Sequence, residues 1–389
     1  MKIVYLMFAV AKKSGTERIL TDKMNYLAEN YGCDVTLVTY QQGNHPISFQ
    51  LSPNVKHIDI NARILECYKY SGLKKMVKLY QTRRELKRKF METVDGIDPD
   101  IIICPTYHNI EVEALVGCGS KYVKILESHL AHFAVVEVKK DNLLNRITTG
   151  WRARQLTKNI SKADLLVALT QRDADDWSKY VRTAVIPNFF TYKPQTLPEF
   201  KTHKRIIAAG RVSKQKGYDY LADIWSIVTK KHPDWHLDIF GIVEEQEALD
   251  IVNSKIKKYG ISETFKIHAQ TDDIYKEYYN SDMLVLSSRF EGFPLVLIEA
   301  MACGLPCVSF DCPNGASEFI KQGTGYLIPT FDIEDFADKV CRLIENEDER
   351  RGMREKCREN AMRYLPEDIM KQWMELFKKE TKEHIIGKP

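Results

Sequence analysis

The chain has no run of about 18 apolar residues, so no membrane-crossing helix organises it. Its nine cysteines, an odd number scattered from Cys33 to Cys357, include no Cys-x-x-Cys pair, which argues against a disulfide framework and fits a reducing compartment. The tightest cysteine group, Cys303, Cys307 and Cys312, has apolar flanks and no nearby histidine, so buried thiols are expected there and not zinc. No Gly-x-Gly-x-x-Gly follows the first strand-like segment, which demotes a nicotinamide-dependent oxidoreductase. The net charge of +4 is small and no nucleic-acid module is recognisable, so no nucleic-acid partner is expected. Met1 to Leu6 enters a strand-like segment too short and too lightly charged in front for a signal peptide, and the cytoplasm is the expected location.

What the 389 residues do contain is a repeated alternation. Short apolar runs (Ile3–Ala9, Asp34–Tyr40, Val55–Ile60, Ile101–Cys104, Tyr122–Leu126, Leu165–Leu169, Ala184–Ile186) are separated by longer amphipathic stretches. A Pro-, Thr- and Lys-rich segment after Phe190 breaks the pattern. A second series then follows at Arg205–Ala209, His236–Phe240, Phe265–His268, Met283–Leu286, Cys307–Phe310 and Tyr326–Ile328. Strands alternating with helices give parallel sheets, and a chain of this length exceeds one ordinary core. The expectation is an α/β protein of two Rossmann-like domains, residues 1–190 and 191–365. Ligands of such sheets bind beyond the carboxyl ends of the strands.

The most informative of those ends lies in Met283–Asp311. The apolar run Met283–Leu286 gives way to Ser-Ser-Arg, then Glu291-Gly292-Phe293-Pro294, then a helix-like segment with Glu299. The start of such a helix offers unpaired amides and the positive end of its dipole, a seat for an anion. Gly292 admits a ligand close to the backbone, and Pro294 suits a first helical turn. Glu291 stands at the anion's edge and Glu299 about two turns into the helix, placed for two hydroxyl groups of an extended ligand. A sugar nucleotide fits that description; a helix cap and a surface charge are the plainer reading. Similarly, Gly210-Arg211 followed by Lys216-Gly217 reads as a clamp for a diphosphate, against a solvated basic loop.

Glu291, seven residues, Glu299, inside the phrase EGFPLVLIEAMACGLPCV, resembles the signature of the retaining glycosyltransferases of family 4, and the Arg211 to Lys216 loop matches that family's second motif. The resemblance implies a GT-B fold with the active site in an interdomain cleft, and a final helix (residues 366–389) that returns to the first, acceptor-binding domain. It implies that Arg211, Lys216 and the corner formed by Gly292, Phe293, Pro294 and Leu295 hold the donor diphosphate. Glu299 would then bind the ribose and Glu291 the transferred sugar. It further implies that Gly15, in the short loop after the first strand, faces the donor phosphates or the acceptor. His129, at the end of the fifth strand, contacts the donor, with His132 a weaker candidate. The clamp replaces a divalent ion, so neither metal nor other cofactor is expected. Cys312–Glu318 looks like a loop of relatives that use uridine diphosphate hexoses or N-acetylhexosamines. One departure is Gly241-Ile242-Val243, where relatives often carry a second glycine.

Two stretches are strongly basic: Lys69–Lys89 holds nine Lys or Arg against Glu85, and Lys139–Lys162 holds seven against Asp141. With apolar residues at helical spacing they suit an anionic membrane surface, a solvated face being the alternative. The expected activity is transfer of a hexose or N-acetylhexosamine, from UDP rather than GDP, to a glycan or lipid-linked acceptor. A nucleotide-sugar epimerase, which would turn over donor without acceptor, a glycoside hydrolase, which needs no phosphate clamp, and a non-catalytic carbohydrate-binding protein are the alternatives.

Overall fold

The computed structural model describes residues 1–11, 14–136, 143–192, 196–313 and 315–386. The chain divides into two compact units, Met1–Asn188 joined by the helix Pro366–Ile386, and Phe189–Leu365. Each is built on a wholly parallel sheet.

The first sheet contains β1 (Lys2–Met7), β2 (Asp34–Thr39), β3 (Val55–Asp59), β4 (Ile101–Pro105), β5 (Val123–Ser128), β6 (Leu165–Ala168) and β7 (Thr183–Val185), in the order β3-β2-β1-β4-β5-β6-β7. The second contains β8 (Arg205–Ala209), β9 (His236–Phe240), β10 (Phe265–His268), β11 (Met283–Leu286), β12 (Cys307–Phe310) and β13 (Gly325–Ile328), in the order β10-β9-β8-β11-β12-β13. All thirteen fall on the apolar runs of the sequence. The central strands are buried on both faces because helices cover both sides, so they read as unbroken apolar runs and not as alternation.

In both sheets the strand order reverses once, between β1 and β4 and between β8 and β11. The two connections at such a point leave in opposite directions and open a crevice above the strand ends, where ligands settle. Gly15 follows β1 and Arg211, Lys216 and Glu291 follow β8 and β11, so four expected site residues stand at these two reversals.

The helix Pro366–Ile386 packs on the helix Gly15–Asn30 and on β5. It buries Ile369, Met370, Trp373 and Phe377 and lays the Trp373 ring 3.7 Å from the Lys23 ammonium. Arg182 pairs with Glu380 on the same helix.

Candidate active site

In the second unit the loop after β8 is bound tightly to its neighbours. Gly217 closes the short helical turn Lys214–Lys216 with φ +65°, and a Cβ there would lie 2.1 Å from the Ser287 carbonyl oxygen. A Cβ on Gly241 would come within 1.9 Å of the Gly210 oxygen. Only glycine allows both contacts. The Gly241-Ile242-Val243 departure leaves this seam intact: the Val212 amide donates to Ile242 O at 2.8 Å, and Val212 bridges Val243.

Across the reversal, the β8 and β11 loops are stitched by polar bonds. Arg289 N–H donates to Gln215 O at 2.8 Å, the Gln215 side chain to Phe290 O at 3.1 Å, and the Ser287 hydroxyl to Lys216 O at 3.0 Å. Arg289 grips Asp219 with both guanidinium nitrogens, at 2.9 and 2.8 Å, over the Tyr220 ring. Burial alone would raise the Asp219 carboxyl, but Arg289 outweighs it and holds the pKa below the usual value. Asp219 and Arg289 are structural organisers that motif reading passed over; an arginine three residues beyond a buried strand was the available signal.

These stitches bring Lys216 and Glu291 together. Lys216 Nζ lies 2.8 Å from Glu291 Oε1, and the side chains are only 12% and 6% exposed. The Ser288 hydroxyl donates to the same oxygen. Glu291 is also packed by the loop after β12: its amide donates to Pro313 O at 3.4 Å, and a Cβ on Gly315 would stand 3.4 Å from Glu291 Cβ. Asn314 in that loop lies outside the described residues. Burial and then the charge of Glu291 push the neighbouring Cys312 thiol up to about 12, while burial places Cys303 at a similar value. All three clustered cysteines are buried free thiols.

The helix beyond the corner runs Leu295–Ala302 with Pro294 as its cap residue, one position later than the sequence suggests, so Glu299 is its fifth residue and little more than one turn in. The Leu295 amide is taken by Phe293 O at 2.9 Å and the Leu297 amide by Pro294 O at 2.9 Å. No hydrogen bond from the Gly292 or Phe293 amide is found among the described residues. The Phe293 ring packs edge-on against Phe319 at 4.7 Å, which fixes the backbone at that point. Glu299 is buried and accepts from Tyr275 Oη at 3.4 Å; Tyr275 in turn stacks on Tyr192, ring centres 3.6 Å apart. Arg211 stands apart from this group: its exposed guanidinium pairs with Glu244, and Lys214 pairs with Glu247 at 2.8 Å.

Gly15 and His129 belong to the first unit. Gly15 opens the helix Gly15–Asn30, whose Ser14 and Glu17 form a reciprocal capping box, and nothing lies within 4 Å of where its Cβ would be. Lys12 and Lys13 of that loop lie outside the described residues. His129 is buried with Nε2 3.1 Å from Glu127 Oε2, and the same oxygen accepts from buried Lys23. Burial would lift the Glu127 carboxyl, yet Lys23 and His129 together keep it below its ordinary value; Lys23 itself is lowered by burial. His129 Nδ1 has no partner among the described residues. His132 packs edge-on against Trp177 at 4.5 Å and is a framework residue.

The Asp-x-Asp triplets of the chain, Asp98-Pro99-Asp100 and Asp173-Ala174-Asp175, serve the first unit's frame. Asp98 pairs with Lys121 at 2.9 Å, Asp100 accepts the Lys2 amide at 2.7 Å, and Asp173 accepts the Ser128 hydroxyl at 2.7 Å. Among the described residues no group of three or more His, Cys, Asp or Glu is placed to hold a metal, and no helix is long and apolar enough to cross a membrane.

Residues 190–363 match the model of the family described as glycosyl transferases group 1. Over 377 residues the chain is 29% identical to an uncharacterized glycosyltransferase of Haemophilus influenzae, covering 96% of this chain and 98% of that one. It is 27% identical over 391 residues to the amylovoran biosynthesis glycosyltransferase AmsD of Erwinia amylovora, covering 96% and 99%. Among solved structures it is similar to a variant of S. aureus TarM in complex with fondaparinux, alpha-GlcNAc-glycerol and UDP, with TM-score 0.74, 16% identity, and coverage of 97% and 99%. That likeness speaks to the fold, and the fold class is GT-B: two parallel-sheet α/β domains.

Proposed function

We propose that this glycosyltransferase takes a hexosyl or N-acetylhexosaminyl group from a nucleotide sugar, UDP in preference to GDP, and passes it to a glycan or lipid-linked acceptor with retention of configuration. The observation that carries the reading is the buried Lys216–Glu291 pair at the reversal of the second sheet, beside the Gly292 and Phe293 amides. The amylovoran role of AmsD and the UDP held by TarM lend support, and the product would be a cell-surface polysaccharide or glycolipid.

Lys216 has three N–H donors and spends one on Glu291, so two remain for phosphate oxygens. Arg211 joins by leaving Glu244, an exposed pair worth at most about 1 kcal/mol. Glu291, oriented by Lys216 and Ser288, accepts a hydroxyl of the transferred sugar, and Glu299 the ribose hydroxyls. In the first unit, Gly15 and His129 serve the donor phosphates or the acceptor. The bond from the anomeric carbon to the diphosphate oxygen breaks and the acceptor oxygen joins the same face. The acceptor's proton leaves on the departing phosphate. Charge that grows on the diphosphate meets fixed cations and amides, so the chemistry calls for no divalent ion. A nucleotide-sugar donor and nine free buried thiols both suit the cytoplasm, at the inner face of the membrane where the basic helices of the first unit can lie.

The test is kinetic. Arg211→Ala and Lys216→Ala are each expected to lower the transfer rate by about two to four orders of magnitude. Near-normal activity in both would overturn the assignment of the diphosphate site.

A further inference from the structure

The first unit contains a cavity of about 860 Å³, within the size range of small-molecule sites. Its inner end, lined by Phe8, Tyr40, Tyr107 and His108, lies at the carboxyl ends of β1, β2 and β4, at the reversal of the first sheet. From there it runs outward between the short helix Ile64–Lys69 with the helix Gly72–Ile97 on one side, and the helix Leu143–Ile160 on the other. Its outer walls are apolar and open: Met76 is 67% exposed and Trp151 is 60% exposed, with Tyr68 and Tyr80 close to these values. Large side chains of this kind are normally buried, and several together on one surface mark a binding face.

The charged side chains that line the cavity are of one sign. Arg83 and Arg152 line it, no carboxylate does, and neither arginine makes an ion pair among the described residues. Close by, Lys75 lies over the Tyr68 ring at 4.1 Å, Lys74 over Tyr70 at 4.6 Å, and Arg84 beside Tyr80 at 5.8 Å. Cations held against aromatic rings at the edge of an apolar groove match a ligand that is apolar along its length and anionic at one end. A flat bilayer surface meets the outer walls but not the half-buried Phe8 and Tyr107 at the inner end; one molecule laid along the groove, chain outward and head inward, spans both.

We propose that this cavity holds one lipid molecule, a long single apolar chain carried on a phosphate or diphosphate. Its chain lies between the two helices, Arg83 and Arg152 face its anionic group, and the attached sugar points toward the β1–β4 reversal. The inference rests on the glycosyltransferase reading and narrows its acceptor to the lipid-linked class.

The experiment titrates the full-length protein with geranylgeranyl diphosphate, below its aggregation concentration, by calorimetry in saturating UDP so that the donor clamp is filled. UDP binding is measured first and separately. The expected result is saturable one-to-one binding, at least about tenfold tighter than that of inorganic pyrophosphate. Met76→Asp and Trp151→Asp, both exposed and therefore tolerated by the fold, are each expected to weaken it about tenfold without changing UDP affinity. Arg83→Glu should weaken the diphosphate but not geranylgeraniol. Absence of saturable binding, indifference to Met76→Asp and Trp151→Asp, or binding only to anionic vesicles that free isoprenoid does not compete would overturn the proposal while leaving the donor site standing. Absence of UDP binding strikes the donor reading instead.

Discussion

Replacing Lys216 by methionine keeps most of its length and removes its charge. Glu291 then remains 6% exposed, without its cation, with only the Ser288 hydroxyl on Oε1. Breaking a buried pair by removing one partner costs about 3–5 kcal/mol, and the lower end applies where a hydroxyl still serves the carboxylate. For a unit the size of Phe189–Leu365, about 3 kcal/mol lowers the melting temperature by roughly 6–12 °C. The double variant Lys216→Met, Glu291→Gln removes both charges, and it should recover stability to within about 1 kcal/mol of the parent. Its transferase activity should stay as low as that of the single variant, since the cation proposed for the diphosphate is gone in both. Scanning calorimetry of the three proteins alongside turnover assays decides the matter. A single variant within about 0.5 kcal/mol of the parent, or a double variant no more stable than the single one, would refute the buried-pair argument.

Glu299→Gln is expected to weaken free nucleoside diphosphate and donor alike, showing as a raised KM, whereas Glu291→Gln lowers kcat and leaves diphosphate affinity nearly intact; equal losses of affinity would show that the two acids do not divide the donor between them. EDTA should leave activity unchanged, and loss of activity with rescue by Mn²⁺ or Mg²⁺ would show that the leaving group is handled by a metal. The protein should sediment with vesicles of anionic lipid and come off in salt; binding that ignores lipid charge would make Lys69–Lys89 a solvated face. Burial raises the Glu111 carboxyl from 4.5 to about 8 despite the hydrogen bond from Tyr40 at 3.2 Å. The folded chain thus keeps a proton that the unfolded chain releases, so this group's contribution is complete below about pH 4.5 and falls by about 1.4 kcal/mol per unit until pH 8. Between about pH 5.5 and 7.5 in urea unfolding, the parent should lose about 2–3 kcal/mol more than Glu111→Gln; parallel curves would contradict this.

Strand positions were legible because parallel strands buried on both faces must be apolar throughout, and Arg205–Ala209, His236–Phe240 and Phe265–His268 end where the apolar runs end. The meeting of Lys216 with Glu291 was not, because 75 residues separate them and only the β8–β11 reversal makes them neighbours. Arg211 read as a clamp residue because the sequence shows no acid in its loop; the acid that holds it, Glu244, arrives from the loop after β9. The Lys23–Glu127–His129 cluster was hidden for the same reason: Lys23 looks like an ordinary helix-surface lysine until the Trp373 ring covers it. The basic stretch Lys69–Lys89 was visible as charge, but its concave apolar wall required the helix Leu143–Ile160 to stand opposite; residues 139–142 of the other basic stretch lie outside the described residues.

The helix Pro366–Ile386 belongs with Met1–Asn188, yet all of Phe189–Leu365 is made before it. At about 5–20 residues per second, a ribosome spends roughly 10–35 s on the intervening stretch. For that interval the nascent first unit has an open apolar trough where Trp373 and Phe377 will lie, and Lys23 has no ring above it. The second unit, one uninterrupted segment, can finish while the first still waits for its last piece. Birth order and folding order are thereby crossed, and the unit begun first is the unit completed last.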